Sequence, residues 1–232
     1  MDIEQKNGYQ GDDALVQQQS LAYHLKHALV QINNYNQAGA SEQASSIAQH
    51  ALTYIDGYLL SSQPDSQLQL MFEPVALGGL LQDVMHQLTP LAQQHNCRLQ
   101  LQGHSRSKLA SVDKRMVRAV FYSLGCELMT AAASESGKQP AEVIFALRDQ
   151  PQTVQAGVYA ANIKVSARSM HALRKLVGQA PRPCPTIPNS AGGIILADSL
   201  LQRMGSRLSA SRFQRQPGLA AHFPQNQQLQ IV

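Results

Sequence analysis

Histidine and cysteine are the residue types in this chain that could support nucleophilic, acid–base or metal chemistry. The 232 residues include eight histidines and three cysteines, but no Ser-His-Asp, Cys-His or metal-binding grouping of them has a workable spacing. Cys97, Cys126 and Cys184 are far apart, form no CxxC pair and are odd in number. We therefore expect reduced thiols, with Cys97 and Cys126 packed among apolar neighbours.

Two of the histidines, His24 and His27, share one predicted helix. The apolar residues between positions 12 and 36 recur at helical spacing, and Leu25 and Leu29 lie at the centre of their stripe. At about 100° per residue, His27 points away from that stripe and His24 lies on its flank. Both imidazoles are therefore candidates for chemistry on an exposed helix face; the alternative is that both are ordinary polar surface residues.

A helical hairpin is predicted to position these histidines. Residues 1–12 are polar and are expected to form a flexible tail. Two helices joined at residues 37–40 make an antiparallel hairpin over residues 13–62, and Ser41 is placed to cap the second of them. The apolar stripe of the second helix consists of Ile47, Ala51, Ile55 and Leu59.

A single hairpin cannot bury both of its apolar stripes. Pairing with a second copy would bury them in a four-helix bundle. We therefore predict a homodimer through residues 12–62. The alternative is that the stripes pack only on the rest of the same chain.

The remaining residues, 67–232, have the pattern of an α+β domain that follows a polar linker at residues 62–66. Strands are predicted at residues 68–75, 98–102, 141–148, 154–166, 207–213 and 219–223, with the last hairpin turn at Gln216-Pro217-Gly218. Helices are predicted at residues 77–96 (with a break near Pro90), 113–133, 170–177 and 191–204. This order predicts an α/β sandwich with one mixed sheet covered by about three helices.

Composition narrows the possible classes of function. Hydrophobic residues make up 44% of the chain and charged residues 15%, which suits a packed core. The net charge of +4 is small and its cations are scattered, so we expect no nucleic-acid partner. The apolar runs are far shorter than the ~20 residues of a membrane span. The polar N-terminus is unlike a signal or transit peptide, so we expect a cytoplasmic protein.

Four stretches of the chain carry a family resemblance. They are Tyr54–Ser61, Phe72–Leu77, Asp113–Thr130 and Met204–Leu208. In type and order they resemble the transmitter region of bacterial sensor histidine kinases, and the resemblance covers about residues 15–225. It implies a dimerisation and phosphotransfer hairpin followed by an ATPase-like domain.

The resemblance also implies a role for the histidines of the first helix. In such kinases a histidine on this helix accepts a phosphoryl group, and the matching position here is Tyr23. His24 and His27 flank it. They are therefore the alternative phosphoacceptors that the resemblance implies.

The nucleotide-binding positions of this family are altered in the chain. The position of the Mg²⁺-binding asparagine is Glu127, that of the adenine-binding aspartate is Ala167, and only Gly193 matches an expected glycine of the last box. Because these changes occur together, the resemblance implies a degenerate ATPase-like domain at residues 67–232 that holds no cofactor or metal.

Three functions are compatible with these positions. The first is a two-component signalling protein without a working ATP site that passes phosphoryl groups between receiver domains through a histidine. The second is a non-catalytic pseudokinase or scaffold that binds a kinase or a response regulator. The third is a divergent ATP-dependent histidine kinase. A basic cluster of Arg203, Arg207, Arg212 and Arg215 could attract an acidic receiver domain.

Overall fold

The computed structural model describes residues 22, 25–26, 28–64, 66–103, 108–136, 139–161, 163, 170 and 192–226. The predicted phosphoacceptors His24 and His27, the position Ala167 and the third cysteine, Cys184, lie outside these residues. So do most of the helix predicted at 170–177 and the proline-rich loop that follows it.

The N-terminal part of the described chain consists of two helices joined by a short turn. Helix α1 covers residues 28–37, and α2 is Ser41–Ser62. Gly39 lies in the turn with a φ of 72°, a left-handed conformation that glycine adopts without a steric penalty. The predicted cap is displaced by one residue, because Ser41 is already helical and the N-cap, Ala40, makes no side-chain capping bond.

The α+β part is built on a five-stranded mixed sheet with the order β2-β4-β5-β7-β6. Strand β2 runs parallel to β4, and the other neighbours are antiparallel. A separate antiparallel ladder joins β1 and β3. The strands are β1 Phe72–Val75, β2 Cys97–Gln102, β3 Ala110–Asp113, β4 Ala141–Asp149, β5 Thr153–Ala160, β6 Ser209–Phe213 and β7 Gln216–Pro224, and the helices are α3 Leu77–Gln94, α4 Lys114–Ser136 and α5 Gly192–Arg203. The predicted α+β class with a mixed sheet is confirmed.

Two predictions along α3 and β1 are corrected by the structure. Helix α3 continues through Pro90, because Pro90 and His86, four residues earlier, both lie on its exposed face, where water can satisfy the carbonyl that proline leaves unpaired. The strand predicted at residues 68–75 is only Phe72–Val75. Its partner β3 was not predicted, since a four-residue strand whose partner lies far along the chain leaves little local pattern.

The last hairpin turns two residues earlier than predicted. Phe213 pairs with Gln216, so the loop is Gln214-Arg215, and both loop residues have positive φ, 47° and 70°. Such a loop matches the twist of the two strands. Pro217 is accommodated inside β7 because pairing with β5 begins only at the next residue, so its missing N–H is not needed there.

The larger of two hydrophobic clusters in the described residues, the main core, lies between the sheet and the helices. Helix α4 is its centre, with 14 of its 23 residues buried. A helix buried on most of its surface needs cover on more than one side, and α4 packs against the sheet, α3, α5 and also α2. Within the described residues, no helix is long and apolar enough to cross a membrane.

Candidate functional site

The junction between α4 and the N-terminus of α5 contains two of the positions singled out in the sequence. Glu127 on α4 is 5% exposed, and its Oε1 accepts a hydrogen bond of 2.8 Å from the backbone N–H of Gly193 in the first turn of α5. The first N–H groups of a helix have no partner within the helix and carry partial positive charge. The carboxylate of Glu127 is thus a built-in anion at a helix N-terminus.

Gly193 is required by this contact rather than by backbone conformation. A Cβ at this position would lie 2.5 Å from Cγ and 2.7 Å from Oε1 of Glu127. Both distances are shorter than real side chains show, so only glycine allows the carboxylate to reach the N–H. Gly193, which matched a glycine of the nucleotide-binding box, therefore leaves room for the side chain of Glu127 to reach the backbone of α5.

A cluster of polar groups lies beside Glu127, between α2 and α4. Nδ1 of His50 is 2.7 Å from the hydroxyl of Tyr122 and 3.7 Å from Sγ of Cys126. Burial raises the pKa of the Tyr122 hydroxyl. Burial, with a further contribution from the negative charge of Glu127, raises the pKa of the Cys126 thiol well above its ordinary value. The thiol therefore stays protonated, and it is unsuited to act as a nucleophile.

Helix α2 is docked closely on this region. A Cβ at Gly57 would lie 3.3 Å from Cβ of Ala119 on α4 and 3.4 Å from Cδ2 of Leu196 on α5. Tyr54, one turn earlier, is 4% exposed and belongs to the main core. Within the predicted apolar stripe of α2, Ile47 is 2% exposed, whereas Leu59 is 53% exposed in the single chain.

Asp113 fixes the start of α4. Its Oδ1 accepts bonds from the backbone N–H groups of Arg115 (3.0 Å) and Met116 (3.4 Å), and its Oδ2 accepts one from that of Met71 (3.1 Å). The Arg115 guanidinium adds an ion pair of 2.8 Å. Burial alone would raise the pKa of this carboxyl, but the hydrogen bonds and the charge of Arg115 outweigh it and lower the pKa. Asp113 therefore joins the segment before β1 to the helix that carries Glu127.

The predicted basic cluster is divided between the two ends of β6. Arg203 and Arg207 lie before the strand, and Arg203 donates a 2.7 Å bond to the carbonyl of Gln63. Arg212 and Arg215 lie near and beyond its other end, so Arg207 and Arg212 are separated by five residues, about 16 Å of extended chain. The four arginines do not form one compact patch.

The described residues hold no group of three or more His, Cys, Asp or Glu side chains that could bind a metal ion. Cys97 and Cys126 are buried free thiols, as predicted. The contacts of Gly57 and His50 were not predicted. A glycine inside a helical pattern was the available signal for Gly57, whereas nothing local in the sequence pairs His50 with Tyr122.

The mixed sheet and its helices form the fold of histidine kinase catalytic domains. The nucleotide-free catalytic domain of the histidine kinase ThkA superposes with a TM-score of 0.52 at 10% identity, over 66% of this chain and 95% of that one. Full-length ShkA in complex with AMPPNP superposes with a TM-score of 0.55 at 13% identity, over 82% of this chain and 38% of the ShkA chain. ThkA in complex with the response regulator TrrA superposes with a TM-score of 0.54 at 11% identity, over 88% of this chain and 60% of the ThkA chain. No family model and no curated protein matches the chain.

Proposed function

We propose that this chain is a bacterial, cytoplasmic two-component signalling protein that keeps the histidine kinase fold without using ATP. In this proposal it passes phosphoryl groups between receiver domains through His24 or His27. The observation that carries the loss of ATP use is the bond between Glu127 and Gly193. The phosphotransfer step rests on the family resemblance and on the helices at the N-terminus.

The Glu127 carboxylate opposes binding of a nucleotide in the manner of a kinase. Phosphates bind at helix N-termini because free N–H groups and the helix dipole attract them, and here the N–H of Gly193 already bonds an anion. A second unit negative charge about 4 Å from the carboxylate would be repelled by about 4 kcal/mol at an effective dielectric constant of 20. A Mg²⁺ ion could offset that repulsion only if it bound Glu127 together with the phosphates.

Phosphotransfer needs no nucleotide. A neutral imidazole nitrogen attacks the phosphorus of an aspartyl phosphate on one receiver domain, the P–O bond to that aspartate breaks, and the carboxylate leaves. The reverse attack by a second receiver's aspartate regenerates the imidazole. A histidine on an exposed helix face is sufficient for both steps, provided that a receiver can approach it.

Dimerisation through residues 12–62 is part of the proposal. Four apolar side chains of α1 and α2 are at least half exposed in the single chain: Leu29, Val30, Leu52 and Leu59. A second copy would cover such residues in a four-helix bundle. The solved complex of ThkA with a response regulator supports a receiver domain as partner, and a sensor kinase is the other partner that we propose.

A non-catalytic scaffold is the second candidate function. It is favoured by the docking of α2, because the contacts of Gly57 with Ala119 and Leu196 hold the N-terminal helices against the domain. In this alternative the chain binds a kinase or receiver domain and changes its activity without carrying phosphate. An active ATP-dependent kinase is the third reading, and it requires Mg²⁺ to recruit Glu127.

The test is transfer from a radiolabelled phosphorylated receiver domain to the protein. We expect label on the wild type, loss of label in His24→Ala or in His27→Ala, and unchanged labelling in His86→Ala, a control at an exposed histidine of α3. Binding of the receiver without transfer of label would support the scaffold instead. Calorimetric binding of ATP with Mg²⁺ would contradict both readings.

The dimer is tested by sedimentation. We expect the wild type to sediment as a dimer and the double variant Leu52→Glu with Leu59→Glu to sediment as a folded monomer. Gln43→Glu, at an exposed position of the same helix, is the charge control. A wild-type monomer at concentrations of tens of micromolar would refute dimerisation through this face.

A further inference from the structure

A groove of about 680 Å³ lies between α2 and the α+β domain, away from the contact of Glu127 with Gly193. Side chains of α2, β1, α3 and α4 line it. Its volume is within the range of small-molecule sites, about 300–1,000 Å³. No part of the kinase resemblance assigns a role to this groove.

One wall of the groove is cationic. Lys114, Arg115 and Arg118 line it from the first two turns of α4. Arg115 is engaged with Asp113 and with the carbonyl of Gln69. Arg118 has a long contact of 3.8 Å with Asp83, where both side chains are more than one-third exposed. Within the described residues, the buried Nε of Arg118 has no hydrogen-bond partner.

Lys114 and Arg118 are not placed to stabilise α4. Positive side chains near a helix N-terminus oppose the helix dipole, at about 0.3–1 kcal/mol each, and the like charges of Lys114 and Arg118, four residues apart, repel each other by about 0.2–0.5 kcal/mol. The first turn of α4 carries no acidic residue, and the carboxylate of Asp113, just before it, is paired with Arg115 rather than with Lys114 or Arg118. A bound anion would remove both penalties.

The other walls supply acceptors and amides. Asp56 of α2 and Glu73 of β1 line the groove, together with the amide side chains of Gln49, Gln63 and Gln87. A purely anionic ligand would be repelled by the two carboxylates. A ligand with an anionic end and hydroxyl groups could satisfy both walls, because its hydroxyls donate to the carboxylates while its anion faces the cations.

We propose that this groove binds a small phosphorylated metabolite with hydroxyl groups, of the sugar phosphate class. Its phosphate lies against Lys114 and Arg118, and its hydroxyls donate to Asp56 and Glu73. Such a ligand bridges α2 and α4, so it strengthens the docking of the N-terminal helices on the domain. The proposal is independent of phosphotransfer, since it involves neither His24 nor His27.

The test uses ribose 5-phosphate and inorganic pyrophosphate as probes with the full chain. We expect ribose 5-phosphate to bind in calorimetry and to raise the Tm with concentration, as a ligand specific for the folded state does. The double variant Lys114→Gln with Arg118→Gln should lower the affinity for both probes at least tenfold. The matched control is Arg98→Gln with Arg212→Gln, which removes the same charge at exposed positions outside the groove, and it should retain binding.

A second double variant separates the two walls. Asp56→Asn with Glu73→Gln should weaken the binding of ribose 5-phosphate, whose hydroxyl groups lose their carboxylate acceptors. The same variant should strengthen the binding of pyrophosphate, because two negative charges that repel it are removed. Circular dichroism verifies that each variant is folded. Absence of ribose 5-phosphate binding at millimolar concentration, or equal weakening by the control and the Lys114 and Arg118 variant, would overturn the proposal.

Discussion

The contact between Glu127 and Gly193 makes a prediction about how two substitutions combine. Alanine at position 193 would place a Cβ 2.5 Å from Cγ of Glu127. Overpacking of this kind costs about 1–3 kcal/mol, and displacement of the carboxylate also costs its hydrogen bond, about 1.5–3 kcal/mol for a charged acceptor. The gain from replacing a helical glycine by alanine is at most about 1 kcal/mol. We therefore expect Gly193→Ala to lower the free energy of unfolding by about 2–4 kcal/mol.

The sign reverses when Glu127 is absent. Glu127→Ala alone should cost about 1.5–3 kcal/mol, because it leaves the buried N–H of Gly193 without its acceptor. In that background alanine at position 193 no longer meets the carboxylate, so only the helix-propensity gain remains. Gly193→Ala should then be neutral or stabilise by up to about 1 kcal/mol. The two substitutions are thus predicted to couple by about 2–5 kcal/mol.

Urea unfolding of the wild type, both single variants and the double variant measures this coupling. A glycine retained only for close approach to a nucleotide would give a different result. In that case Gly193→Ala would stabilise the protein equally with and without Glu127. Additive effects within about 0.5 kcal/mol would therefore refute the assignment of Glu127 as the internal anion of α5.

Three further predictions concern the surroundings of this contact. Asp113→Asn should lower the free energy of unfolding by about 1–3 kcal/mol at pH 7. Because the pKa of Asp113 is lowered in the folded protein, the difference between wild type and variant in urea unfolding should persist above about pH 4 and shrink as the pH falls through the folded pKa. A difference that does not change with pH would contradict this. Gly57→Leu should push α2 away from Leu196, lower the free energy of unfolding by about 1–3 kcal/mol and speed chymotryptic cleavage after Leu68, Leu70 or Met71, between α2 and β1, whereas unchanged cleavage argues against close docking. In a background with Cys97→Ser and Cys184→Ser, which leaves Cys126 as the one thiol, Cys126 should react with iodoacetamide only upon unfolding, and rapid native labelling would show that it is accessible.

The local pattern of the sequence predicted most of the larger elements. The alternation at residues 141–148 and the apolar run at 113–133 mark elements that the structure contains, with α4 extended to Ser136. Errors occurred where a non-local contact outweighs a local signal. Pro217-Gly218 has the composition of a turn, but its pairing with β6 and β5 holds it inside a strand.

The candidate site was predictable in part. The positions of Glu127 and Gly193 came from the family resemblance, which assigned each a separate role toward a nucleotide. Their bond to each other was not predictable, because 66 residues separate them and no local pattern reports that a carboxylate on one helix reaches the N-terminus of another. The positions of His24, His27 and Ala167 remain predictions from the sequence.

Helix α4 connects the contact between Glu127 and Gly193 to the N-terminal helices. Glu127 reaches α5 from one face of α4, while Tyr122 and the adjacent Cys126 meet His50 of α2 on the neighbouring face. Because packed helices resist independent movement, a partner that shifts α2 acts directly on the helix that holds Glu127. The chain itself supplies the anion at the N-terminus of α5, through the carboxylate of Glu127. In the nucleotide-independent role that we propose, the contact between α4 and α5 therefore needs no ligand, and it can support the N-terminal helices continuously.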